Sequence, residues 1–175
     1  LPDTQSVAAI FRTGFEALES DDLGDLLFHS DQRVRQGAQF ELAARGGDGQ
    51  AILEAVVRQR DDLTARLHGI WGLRTIANGY TGSPRRPPLR RVVPLLRDEE
   101  PEVRAQAARM LGDTRYQPAT AAIRSAILDP APRVRFFAAI AAGRLADGEA
   151  MESLVTLLIQ NADEDRFLRH GGVMG

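Results

Sequence analysis

Apolar positions recur along this chain at helical spacing, and they recur in blocks. The clearest block is Glu100 to Thr114, EPEVRAQAARMLGDT. An apolar residue precedes an arginine, a small residue follows four positions after the apolar one, and another apolar or small residue follows four later. Offsets of four and eight share one face of a helix. Aligned on the arginine, the block occurs five times, at Arg35, Arg66, Arg104, Arg135 and Arg169. The preceding residue is Val34, Ala65, Val103, Val134 or Leu168. The small position is Ala38, Gly69, Ala107, Ala138 or Gly172, and Leu42, Leu73, Leu111 and Ala142 complete the edge. Each block therefore predicts a helix with an apolar edge and one pinched point, where another helix can approach closely.

A second apolar run precedes each block: Leu23/Leu26/Leu27, Ile52/Leu53/Val56/Val57, Val92/Val93/Leu95/Leu96, Ile123/Ile127/Leu128 and Leu154/Leu157/Leu158. Two helices per unit, repeated every 31 to 38 residues, predict an all-α solenoid: a right-handed α-α superhelix of about five helical pairs. The expected boundaries are 1–21 for an N-terminal capping helix, then 22–46, 48–78, 87–114, 117–147 and an incomplete 148–175. Val7, Ile10, Phe11, Phe15 and Leu18 would form the apolar side of the cap. Ser20, Asp21 and Asp22 are placed to cap the helix that follows, and Asp31 the one after. Pro101 and Pro132 fall at the starts of second helices, where a missing amide hydrogen costs little.

These phrases resemble HEAT repeats, in the short form found in bilin-lyase-like proteins. The matching text is LLRDEEPEVRAQAARML and ILDPAPRVRFFAAIAA, and the resemblance runs from about Asp22 to Gly175. It implies that an aspartate six residues before the anchor arginine joins a ladder between repeats. Asp98, Asp129 and Asp163 hold that place, whereas His29 and Arg60 hold it in the first two copies. A further resemblance, in DQRVRQGAQFELAARG, RLHGIWGL, PRVRFFAAIAAGRL and DRFLRHGGVMG, is to the HEAT segment of planctomycete-type membrane-bound dehydrogenases with a haem-binding module. There the segment lies between a β-propeller and a cytochrome c-like domain, which would make this chain an extracytoplasmic piece of a longer protein. No C-x-x-C-H occurs in it, so no haem attachment carries over. Bilin handling finds no residue here to carry it.

Composition narrows the chemistry. The net charge of −2 gives no global attraction to nucleic acid. Cysteine is absent, which excludes disulfides, thiolate zinc sites and cysteine nucleophiles. All 22 basic residues are arginine, a chain-wide bias that reads as genome composition. His29, His68 and His170 lie in separate repeats at non-equivalent positions, which argues against a metal site. The acids at Asp61/Asp62, 98–100 and 163–165 fall at helix starts, where they complement the helix dipole. No P-loop, dinucleotide fingerprint or nucleophile elbow is present. The reading is a non-enzymatic scaffold without cofactor, whose partner is a protein or a neighbouring domain of the same parent.

Two features could do more than pack. Between Asp62 and Asp98 lie Arg66, Arg74, Arg85, Arg86, Arg90, Arg91 and Arg97, with no acid between them. This window is the alternative reading, a nucleic-acid or phosphate-binding face, with Arg85, Arg86, Arg90 and Arg91 as the contacts. The first two lie in GYTGSPRRPP, Gly79 to Pro88, which interrupts the periodicity and is expected to be a surface loop. The second feature is a column shared by Phe40, Trp71, Arg109, Ile140 and Met174. Packing between repeats is its expected role, and a contact surface the alternative.

Overall fold

The computed structural model describes residues 4–79 and 87–175. Among them every regular element is helical, with eleven α-helices and four 3-10 turns. The chain divides into two compact units, Leu1–Pro88 and Leu89–Gly175.

In the first unit, α1 spans Thr4–Thr13 and stops there because Gly14 turns to φ 84°. The expected amphipathic helix through Leu18 is thus broken, and Phe15 enters a 3-10 turn, Phe15–Ala17. This turn seats the Phe15 ring where a side chain on Gly37 would be. Two helical pairs follow: α2 (Ser20–Leu26) with α3 (Gln32–Ala44), and α4 (Gly47–Arg58) with α5 (Leu63–Gly79). Ser20, Asp21 and Asp22 do not act as the N-cap of α2. That position is Glu19, without a side-chain cap bond. Ser20 instead accepts a hydrogen bond from Arg45 at 3.0 Å, and Arg45 also donates to the Leu18 carbonyl at 2.7 Å. One guanidinium at the end of α3 thereby fastens the entry segment.

In the second unit, α6 (Pro87–Val92) runs into the 3-10 turn Val93–Arg97 and pairs with α7 (Pro101–Asp113). Next come α8 (Thr120–Ala126) with α9 (Pro132–Arg144), and α10 (Met151–Asn161) with α11 (Arg166–Met174). Pro101 and Pro132 occupy the first turns of α7 and α9. Asp31, Glu100 and Asp165 cap α3, α7 and α11 by accepting backbone N–H groups.

The repeated apolar edge is the core. Val34, Ala38, Leu42, Ala65, Val103, Ala107, Leu111, Val134 and Ala138 are fully buried. The pinched points seat the first helix of the same pair. An added Cβ at Gly69 would lie 2.7 Å from Val57, and one at Gly172 would lie 2.6 Å from Leu158. A second set of small residues forms the seam between consecutive pairs. At Gly112 a Cβ would lie 2.5 Å from that of Ala141, and at Gly143 it would meet the Met174 and Gly175 carbonyls. Bare helix surfaces on both sides let α7, α9 and α11 stack at contact distance.

Second helices also end alike. Gly46, Arg115 and Ala146 each lie eleven residues after their anchor arginine, and each has a positive φ, of 63°, 50° and 53°, although Gly46, at ψ −118°, lies outside the left-handed helical well. In α7 and α9 the turn is closed by Tyr116 N–H to the Leu111 carbonyl and Asp147 N–H to the Ala142 carbonyl. These are the 6→1 bonds of a Schellman cap.

Candidate interaction surface

The anchor arginines begin as local clamps. Arg35 donates through Nη1 to the carbonyls of His29 and Ser30, at 2.6 and 2.9 Å. Arg104 does the same to Asp98 and Glu99, and Arg135 to Asp129 and Pro130. Each bond ties the second helix to the turn that precedes it. Arg66 departs from this: it is 4% exposed and its Nε donates to the Val57 carbonyl at 2.9 Å. Arg169 departs too, donating to the Asp163 carboxylate of its own pair.

Arg104 adds a contact that crosses to the next pair. Its Nε and Nη2 donate in parallel to the two Asp129 oxygens, at 2.8 and 2.9 Å, an arrangement with both strength and directionality. The Asp129 hydrogen bond raises the Arg104 pKa against its partial burial. Asp129 also accepts the Ala131 N–H at 2.8 Å. Asp98 contributes its backbone carbonyl to Arg104, while its side chain accepts the Glu100 N–H.

Further pairs span the stacked helices. Arg124 chelates Asp147 at 2.8 Å and reaches Glu149 at 2.5 Å. The Arg124 hydrogen bond lowers the Asp147 pKa. Arg133 donates to Glu102 at 2.6 Å, and Arg144 to Asp113. Most guanidinium chemistry in the second unit is therefore directed at the repeats themselves.

The shared column reaches solvent. Phe40 is 52% exposed and Met174 59%. Arg109 is exposed, and Trp71 and Ile140 are half-buried. Phe40, Arg109 and Met174 are thus open to a contact, while Trp71 and Ile140 are partly covered. Beside Arg109, Phe137 lies under two guanidinium groups, Arg109 at 5.6 Å and Arg133 at 5.2 Å from its ring centre. The outer faces of α7 and α9 thus present aromatic and cationic groups together.

The arginine-rich window falls in both units. Arg66 is buried and Arg74 half-buried in the first unit, while Arg90, Arg91 and Arg97 are exposed in the second. Arg85 and Arg86, with most of the expected loop, lie outside the described residues.

His29 and His68 do structural work. His29 Nδ1 accepts the Asp31 N–H at 2.9 Å. His68 is 4% exposed, its Nδ1 lies 2.8 Å from Gln39 Oε1, and its ring meets Trp71 edge-on. Burial, assisted by the Arg35 charge, pushes its pKa down to about 4. With the Gln39 oxygen facing it, neutral His68 carries its proton on Nδ1 and donates. No group of three His, Asp or Glu suited to a metal occurs among the described residues. No helix among them is long and apolar enough to cross a membrane.

Residues 89–170 match the family model for HEAT repeats. The matched segment contains the Arg104–Asp129 contact and the Gly112–Ala141 seam. Among solved structures, the crystal structure of an engineered protein, a Northeast Structural Genomics Consortium target, is 20% identical. It aligns over 98% of this chain and 82% of its own, with a TM-score of 0.57. That likeness is one of fold: an all-α stack of HEAT-like helical pairs. The complex of CpcE and CpcF of phycocyanin lyase from Nostoc sp. PCC7120 aligns over 89% of this chain and 74% of its own, at 17% identity and a TM-score of 0.48. No curated protein matches.

Proposed function

We propose that this chain is a non-enzymatic interaction scaffold that binds a protein or a neighbouring domain through the outer faces of its second helices. The observation that carries this reading is the exposed column. Phe40, Arg109 and Met174 stand exposed at one repeated register, on helices that arginines clamp to the turns before them. Rigid helices that display such groups suit recognition of a protein surface. HEAT-repeat folds are compatible with this use.

In its finer form the reading places the chain in a larger, extracytoplasmic, haem-containing dehydrogenase-like protein, where it would position the propeller and cytochrome-like modules. Its support is the resemblance of the quoted phrases. The surrounding reading frame tests it: a propeller upstream and a C-x-x-C-H downstream would support it, and a gene lacking both would remove it.

The scaffold reading is tested by measuring affinity for the neighbouring domains of the parent with wild type, Phe40→Asp and Met174→Asp. Weakened binding with an unchanged melting temperature is expected. The nucleic-acid alternative is measured by titration with duplex DNA at several salt concentrations. Tight binding with a steep salt slope would replace the scaffold reading.

A further inference from the structure

Arg35 and Arg104 hold their guanidinium groups in the same local clamp, with Nη1 on the carbonyls six and five residues back. In Arg104 the remaining edge, Nε and Nη2, grips the carboxylate of Asp129, 25 residues on. In Arg35 that edge has no such partner. Its Nε is buried and makes no hydrogen bond. The residue 25 positions on is Arg60, six before its own anchor Arg66, just as Asp129 is six before Arg135. A cation thus stands at the register of the missing acid, and it stands at the surface: Gln59, Arg60 and Asp61 are all exposed. A buried donor left unmade is costly, and an arginine edge fits a carboxylate in plane with two parallel bonds.

From this we infer that the Arg35 edge, with Arg60 at the register of the missing acid, is a binding site for an external carboxylate, which completes in trans the contact that Asp129 makes in cis. A planar two-oxygen acceptor is favoured over phosphate because the same edge, in the same clamp, already holds one in the next unit. The site does not depend on the scaffold reading, since a free small carboxylate would satisfy it as well as an acidic side chain.

The test is NMR of the arginine Nε–H resonances of the full chain, with the Arg35 signal assigned by its loss in Arg35→Lys. Acetate, a short glutamate-containing peptide and inorganic phosphate are titrated separately. A saturable downfield shift of the Arg35 signal with acetate or the peptide is expected. Tighter binding of the peptide would assign the ligand to a partner's side chain, and equal binding to a small free carboxylate. Arg60→Asp supplies the acid internally. Its Arg35 signal should begin near the shifted position, and the acetate response should fall at least about tenfold, the effect of losing a charge-assisted contact. Arg60→Gln, which removes the cation without supplying an acid, should weaken the response but keep it. An Arg35 signal indifferent to both carboxylates, or an Arg60→Asp response equal to wild type, would overturn the site. Tighter binding of phosphate than of acetate and the peptide would overturn its assignment to carboxylates.

Discussion

Arg104 on α7 holds both oxygens of Asp129, at 2.8 and 2.9 Å, across the boundary between two helical pairs. The side chains are 12% and 10% exposed, so little solvent screens them. Arg104 also pins the turn before its own helix. One side chain therefore fixes the geometry within a pair and the contact between pairs.

Removing the acid should expose how much that contact contributes. Asp129→Asn leaves Arg104 half-satisfied in a partly buried place and weakens the Ala131 cap. A loss of about 2 kcal/mol in urea unfolding is expected. A loss within about 0.5 kcal/mol, the level of ordinary surface changes, would mean that solvent already screens the pair.

The seam should be intolerant of a single carbon. Gly112→Ala would put a methyl 2.5 Å from that of Ala141 and 2.7 Å from its Cα. The obstruction is partly backbone, so the two helices must separate. A cost of about 1–3 kcal/mol is expected, against the modest gain that alanine brings to a helix interior elsewhere. Thermal unfolding checks the sign.

The helix ends allow the opposite substitution. Ala146 closes α9 in the left-handed region at φ 53°, where glycine meets no Cβ penalty. Ala146→Gly should raise stability by roughly 0.5–1 kcal/mol. A fall in melting temperature would show that the added freedom of the unfolded chain outweighs the relief.

His68 should make stability depend on pH. Its folded pKa of about 4 lies below the ordinary value of 6.5. Between these values the unfolded chain binds more protons, so stability falls as pH drops from about 6.5 toward 4, and this contribution levels off below. At most about 3 kcal/mol is at stake. His68→Gln should flatten that limb. An unchanged pH profile in the variant would assign the limb to other groups.

Much of this was legible beforehand, for a physical reason. Burial at helical spacing writes itself into residue type, so Val34, Ala38 and Leu42 announced their helix and its inner edge, as did their counterparts. The fold class followed from the recurrence of that edge. Other features leave weaker marks. Gly14 looked compatible with a helix through Leu18, because periodicity does not report a backbone turn. The column from Phe40 to Met174 was expected to pack between repeats, yet Phe40, Arg109 and Met174 are exposed, since spacing cannot say how far a side chain is covered by its neighbour. Arg66 counted as part of a basic window, yet a long side chain can bury its charge against a carbonyl, as it does at Val57.

By itself, then, the sequence determined the helical pairs, their number and the shared register of their inner edges, because each is a local consequence of side-chain size and polarity. Tertiary structure alone decided which small residues form the seam between pairs, where each guanidinium spends its donors, and that Arg35 has an edge left over. Those outcomes depend on which backbone atoms arrive within 3 Å of a side chain, and a linear pattern holds no record of distances across the fold.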